Sequence, residues 1–394
     1  MPLISHPKMQ NYPELKRVTG IQPANLPKAP ARVPLHKALW ALLLLILGIA
    51  GCSSKPAPTA AFVYAANNGS NNVSAFSVAS TSGALTAVTG SPFAAGTAPV
   101  AIAADPSGKF VYVANVGSNN VSAYSVNSMS GTLTSVPGSP FTTGVGPYGV
   151  TVDPSGRFAY VGVGAAGVLA YTIDPSSGAL ALITGSPFAS GAGAVAVDPA
   201  GKFLYATGFN VNNLSAFSIN SSSGALTPVT GSPFTAGVGK NPLGIIVEPS
   251  GKFVYLGNTS DGTISSFAID AVSGAPTPVS GSPFATGVDP RSVCVDPSGI
   301  FLFAGTFGDG KVSGYTIGAS GGLTPISGSP FAVGAGILGV VVDPSAKFLY
   351  VADNSPGSVR ALSIGATGAL TPISGSPFVA GMGTEAVVVT AKIH

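Results

Sequence analysis

The sequence predicts an all-β fold: a seven-bladed β-propeller of four-stranded antiparallel blades. Three observations carry that expectation. The tetrapeptide Gly-Ser-Pro-Phe recurs at Gly90, Gly138, Gly185, Gly231, Gly281, Gly328 and Gly375, at intervals of 48, 47, 46, 50, 47 and 47 residues. A fixed period of this size marks a propeller or solenoid. No stretch of the repeating part shows a helical period, whereas short β-branched and aromatic runs alternate with turn residues throughout.

A representative module, residues 110–157, reads as four strands: FVYVA, VSAYSV, LTSV and, after the GSPF crossing, YGVTV. Each turn between them has a local cause. The Asp-Pro-Ser-Gly segments and their variants, beginning at Asp105, Asp153, Asp198, Glu248, Asp296 and Asp343, suit type I turns, with Pro fixing φ at the second corner. Segments such as GSNN, SDGT and GDGK fit tight hairpins with positive φ. The SGAL-type turns set Gly83, Gly131, Gly178, Gly224, Gly274, Gly321 and Gly368 at matching points.

Strand position within a blade follows from residue type. The LTPV-type strand carries Pro228, Pro278, Pro325 and Pro372, and a residue without an N–H donor belongs on an edge. It is therefore expected outermost, where Pro also discourages edge-to-edge pairing. Strands such as GVTV, AVAV and GIIV are built from small and β-branched residues and are expected beside the crowded axis. GSPF then lies where the chain leaves the outer edge for the next blade: Gly and Pro shape the turn and Phe fills the gap between sheets. The first module lacks an inner strand, and the last has an unclaimed one, EAVVVT, from Glu385 to Thr390. Pairing the two closes the ring with the N-terminal three strands and one C-terminal strand.

Composition limits the function. The chain has 394 residues, only 8% of them charged, against about 25% in an average soluble protein. Residues 1–51 contain six basic groups and one acid, a net +5 that leaves the remainder at −2. A body so sparsely charged presents no basic stripe for a phosphate backbone, so nucleic acid is not an expected partner.

The leader suggests a cellular address. The apolar run Ala38–Ala50 is short for a transmembrane helix and has the proportions of a signal-peptide hydrophobic region; an uncleaved anchor or a buried helix is the plainer reading. The following IAGC resembles a bacterial lipobox. That resemblance implies lipidation at Cys52, a mature chain beginning there, and a protein exported and anchored in the cell envelope, at the outer membrane or cell surface. The expected organisation is a signal peptide at 1–51, a tether at 52–61 and the propeller at 62–394. Cys294 then has no disulfide partner, and within SVCVDP it reads as strand packing.

Candidate functional residues are few. Propeller ligands gather at one mouth of the axial channel, so the informative position is the start of each inner strand. Counting back five residues from each turn acid gives Val100, Tyr148, Gly193, Leu243, Arg291 and Leu338, with Glu385 matching in the final strand. Arg291 and Glu385 stand out from an apolar ring, two steps apart; Asp289 reads as a turn residue. Most other charges belong to the acidic-Pro turns and are expected to be solvated. Asp261-Gly262 and Asp309-Gly310 read as hairpin corners rather than calcium ligands. No Cys/His cluster, P-loop or dinucleotide fingerprint is found, so no metal or cofactor is expected.

The segments FVYVAN, VSAYSV and DPSGKF, with the Pro-containing start of the inner strand, resemble the seven-bladed lactonase propellers. These are relatives of 6-phosphogluconolactonase that shade into YVTN-repeat surface proteins. The likeness runs over residues 62–390. DPRSVCVDP resembles the Pro-Arg channel element of that family. The resemblance implies a lactone hydrolase in which Glu385 directs water while Arg291 and Tyr148 hold the carbonyl or an acidic group. The catalytic histidine and additional arginines of the family have no counterpart here, and His394 is a terminal residue. Three functions stay open: a non-catalytic scaffold binding a glycan, peptide or envelope protein; a sugar-lactone hydrolase; and a structural surface-layer component.

Overall fold

The computed structural model describes residues 59–390, apart from 189, 190, 209 and 236. The leader 1–51, Cys52 with most of its tether, and His394 lie outside the described residues. Seven antiparallel sheets make up the described chain, and no helix is present among its residues. In the second blade the order from the axis outward is Pro99–Ala104, Phe110–Asn115, Asn120–Val126 and Leu133–Ser135. The other blades repeat this order, with inner strands Gly149–Val152, Val195–Val197, Pro242–Val247, Pro290–Val295 and Ile337–Val342. Each inner strand neighbours the next around a closed circle.

The first blade is assembled from both ends of the chain. Thr59–Asn67, Asn72–Ala79 and Leu85–Ala87 are joined on the inner side by Thr384–Val389. The register pairs Tyr64 with Val388 and Ala65 with Val387. At the end of this seam Thr390 donates its N–H to the Phe62 carbonyl at 2.9 Å, and the Phe62 N–H reaches Thr390 Oγ1 at 3.1 Å. The expected closure is thus present, and Pro228, Pro278, Pro325 and Pro372 all lie on or beside outermost strands.

GSPF does more than turn the chain inward. Its Gly has positive φ in all seven copies and its Ser-Pro bond is cis. The Ser hydroxyl accepts the N–H of the third strand, as from Ala75 to Ser91 Oγ at 2.9 Å. The Phe then adds a two-residue segment to that same strand, as Phe93–Ala94 does to Asn72 and Val73. Only after this short return does the chain cross. Phe93 packs into a cluster drawn from the first and second blades, including Tyr64, Val111 and Tyr124, which is the gap-filling expected of it.

The turn acids are a correction to the sequence reading, which placed them in solvent. Asp105, Asp153, Asp198, Glu248, Asp296 and Asp343 are all buried. Each carboxylate folds back into its own loop: Asp105 accepts from the Phe110 N–H at 2.6 Å, the Ser107 N–H at 3.0 Å and the Ser107 hydroxyl. An acid without a cation nearby is tolerated in this way because backbone donors replace its water. The basic partners Lys109, Arg157, Lys202, Lys252 and Lys347 stay exposed.

Neighbouring blades are held by a repeated latch that the sequence reading missed. A tyrosine of the second strand donates its hydroxyl to the glycine carbonyl of the next blade's SGAL-type turn. The pairs are Tyr64–Gly131, Tyr112–Gly178, Tyr160–Gly224, Tyr205–Gly274, Tyr255–Gly321 and, across the closure, Tyr350–Gly83. Phe303 occupies the seventh position, where no hydroxyl is available. Each bond is worth about 1 kcal/mol net. The phenylalanine two residues earlier covers the same glycine: a Cβ on Gly131 would lie 2.3 Å from the Phe62 ring, and its φ of +75° already favours glycine.

Gly144 separates these two demands, since its φ is +78° but nothing lies within 4 Å of an added Cβ. Gly144→Ala should therefore lower stability by about 1 kcal/mol from the left-handed backbone alone. Gly131→Ala should lose about 2 kcal/mol more, because the ring of Phe62 must move. Urea denaturation midpoints of the two variants measure the difference, and equal losses would show that the latch carries no packing energy.

Candidate functional site

The mouth of the axial channel is built from β-bulges. In the inner strand Pro290–Val295, Pro290 opposes Thr306 and Ser292 opposes Gly305, so Arg291 has no opposite residue. The same irregularity falls at Val100, Leu243, Leu338 and Glu385. A bulged residue breaks the in–out alternation and is re-aimed, here into the channel. The residue two before four of these positions has positive φ: Ala98, Asn241, Asp289 and Gly383. A Pro then starts the strand in the first three, and Thr384 in the last. In the third and fourth blades pairing begins later, at Gly149 and Val195, so Tyr148 and Gly193 take their places just ahead of the strand.

All seven positions named from the sequence line one cavity of about 260 Å³ together with Ala194. Deeper in, the channel is walled by the inner strands themselves, with Ile102, Val150, Ser292, Val293 and Val340 among the lining residues. The mouth therefore offers one guanidinium, one carboxylate and one phenol on an aliphatic surround. It widens onto exposed apolar side chains, Val145, Tyr148, Val288 and Met382.

Arg291 is held by neighbours on its own blade. Its Nη2 lies 2.8 Å and its Nε 3.0 Å from Oδ2 of Asp289, and its guanidinium stacks on Phe307 at 4.4 Å from the ring centre. Asp289 is a turn residue, as expected, and it is also the arginine's ion-pair partner. The ion pair of Arg291 is with Asp289, while Glu385 shares the cavity with the arginine. The arginine is thus clamped on its own blade and shares the mouth with the Glu385 carboxyl. Partial burial pushes the Glu385 carboxyl above the ordinary glutamate range, and the charge of Arg291 pulls it part of the way back.

The remaining candidates are structural. Cys294 is buried in the inner strand of the sixth blade, and burial pushes its thiol up, an environment that suits packing. Asp309 pairs with Lys311 at 3.6 Å and accepts from Thr306 Oγ1. Asp261 accepts the Lys240 N–H at 2.7 Å. Among the described residues no group of three or more His, Cys, Asp or Glu gathers as a metal site. Nor is there a histidine between 59 and 390.

Fold and mouth together define a closed seven-bladed propeller with a pocket at one end of its axis. The family model described as Lactonase, 7-bladed beta-propeller matches residues 55–140, 136–238 and 233–337, and the chain belongs to that family. No curated protein sequence matches it. Among solved structures, a candidate 6-phosphogluconolactonase of Bacteroides fragilis superposes with a TM-score of 0.71 at 20% identity, covering 84% of this chain and 98% of its own. A candidate 6-phosphogluconolactonase of Bacteroides uniformis gives 0.71 at 18%, covering 84% and 98%. The periplasmic gluconolactonase of Pseudomonas aeruginosa gives 0.71 at 16%, covering 84% and 99%. At such identities the likeness is one of fold; activity has to be argued from the mouth itself.

The electrostatics of the mouth can be checked directly. The chain has three glutamates, Glu14, Glu248 and Glu385, so selective ¹³C labelling of glutamate yields a readable carboxyl titration, assigned by Glu385→Gln. Arg291→Ala should move the Glu385 midpoint higher still, since the one lowering influence is removed. A folded-state value above the unfolded one also means that Glu385 disfavours the fold once ionised. Its contribution to stability is full below the ordinary glutamate pKa and is lost as pH rises through the raised one. Glu385→Gln should flatten that part of the pH–stability curve.

Proposed function

We propose that this chain is an exported, lipid-anchored lactonase-family propeller that works as a non-catalytic binding scaffold. Its mouth would take part of a glycan, peptide or envelope protein. The observation that carries this reading is the state of Arg291. The one guanidinium of the mouth is already ion-paired with Asp289 and stacked on Phe307, and no histidine lies among the described residues to accept a proton. Ring opening of a lactone needs a base that directs water and a donor that is strengthened as the oxyanion forms. A clamped arginine, a phenol and an apolar collar suit recognition better. Anchoring would come from lipid on Cys52, as the IAGC motif implies.

One observation favours a second reading, that of a sugar-lactone hydrolase. The Glu385 carboxyl is raised above its ordinary range, mainly by burial, and shares the cavity with Arg291. A base so placed would give turnover that rises with pH through a midpoint above the usual glutamate value.

Purified protein incubated with glucono-lactone and its 6-phosphate should hydrolyse neither faster than buffer does. Turnover that follows the pH profile just described, and that disappears in both Arg291→Ala and Glu385→Gln, would replace the scaffold with the hydrolase. Anchoring is tested separately: labelled fatty acid should enter the protein in bacterial cells and fail to enter Cys52→Ala.

A further inference from the structure

At the mouth end of the propeller the charges balance within each blade except one. Asp289 pairs with Arg291 at 2.8 Å, Asp309 with Lys311 at 3.6 Å and Asp353 with Arg360 at 2.6 Å. Asp261 accepts the backbone N–H of Lys240 at 2.7 Å, so this acid and this lysine start side by side on the fifth blade. The remaining acid at this end is Glu385. Its blade, built from residues 59–94 and 384–390, contains no other charged residue. On the flanking blades the mouth end adds only the Asp353–Arg360 pair. Among the described residues, four cations against five acids leave one net negative charge at this end, and it falls to Glu385 in the axial cavity.

We infer that the mouth binds a primary ammonium group carried on an aliphatic body, with Glu385 as its counter-charge, such as a peptide presents at its N-terminus or on a lysine side chain. This rests on the binding-scaffold reading above and selects one ligand chemistry among those it allows. The guanidinium of Arg291 reaches Glu385 across the channel, but that charge is shared with Asp289 on its own blade. Val100, Leu243 and Leu338 line the cavity beside the carboxyl. Outside them, Val145, Val288 and Met382 hold one repeat position, three residues before the mouth residue, and stand exposed at 45%, 60% and 68%. An apolar recess with a single convergent charge fits a ligand that is apolar along its length and charged at one end.

Other ligands suit this recess less well. A calcium ion takes about six to eight oxygen ligands, and no group of three or more His, Cys, Asp or Glu gathers among the described residues. A quaternary ammonium is held by several aromatic faces, and Phe307 is already covered by Arg291. A sugar would lay hydroxyls against the aliphatic side chains and leave them without partners. An ammonium also answers the state of Glu385 itself. Burial disfavours the ionised carboxyl, and a cation brought beside it favours that form again. Amine binding and loss of the Glu385 proton are therefore linked.

The glutamate-labelled protein of the carboxyl titration reads this linkage. It is titrated with n-butylammonium, which matches a lysine side chain, and with leucinamide, which matches a peptide N-terminus; butanol and butanoate serve as controls. At about ten times its dissociation constant, the better amine should lower the proton affinity of Glu385 about tenfold, and neither control should lower it. Whichever amine acts at the lower concentration identifies the source of the group. Saturation transfer to the ligand protons should show amine binding lost in Glu385→Gln and tightened in Arg291→Ala, the reverse of what a site for carboxylates would give. A Glu385 titration that neither amine moves, that butanol moves equally, or amine binding that survives Glu385→Gln, would overturn the inference. None of these readouts needs turnover. The lactone assay alone decides between scaffold and hydrolase, so failure of that reading and failure of this one are distinguishable.

Discussion

The whole structure depends on one pairing, that of Val63–Asn67 with Thr384–Val389. A propeller blade buries its faces only against two neighbours, so an open array would expose one face at each end. Joining the first and last strands of the chain in one sheet removes both exposed faces at once. It also converts the entropy of two chain ends into a single loop-closure cost, which grows only slowly with the length enclosed. The latch from Tyr350 to Gly83 and the Phe62–Thr390 bonds cross the same joint, so the last blade is held as firmly as any internal one.

With the ring closed, function follows from where strands start rather than from what fills them. The core positions repeat with small changes, and each inner strand must pass the axis in nearly the same way. Variation is tolerated at the bulged residue because it has no cross-strand partner to satisfy. That is where the chain places its few unusual groups: Arg291, Glu385 and, by a later start of pairing, Tyr148. A carboxylate and a guanidinium two blades apart can differ in role without disturbing the scaffold. Asp289 and Phe307 restrain the arginine from its own blade, and Glu385 is governed by its burial and by the charge of Arg291.

Much of this was legible in the sequence because the fold writes itself seven times. The period gave the number of blades, Pro228 and Pro325 marked the outer edge, and the unclaimed EAVVVT strand gave the closure. The seven mouth positions followed from counting. What escaped was whatever depends on distance between modules or on register within one. The tyrosine–glycine latch joins residues 64 to 69 apart along the chain, and its signal was present as a Phe-x-Tyr repeat paired with a glycine repeat. The bulge at Arg291 leaves no mark in composition. The burial of the turn acids was hidden because their partners are backbone N–H groups, which every sequence supplies. The clamp on Arg291 needed coordinates, since Phe307 is sixteen positions away, just past the end of the neighbouring strand.

Native-state hydrogen exchange at the seam tests the account most directly. Amides of Val63–Asn67 and of Val387–Val389 should be protected to the same degree as those in the middle of the fifth blade, and should be lost together with it on global unfolding. Exchange at Val387–Val389 as fast as that of a fraying terminus, with the fifth blade still protected, would mean that the ring is not closed by its ends.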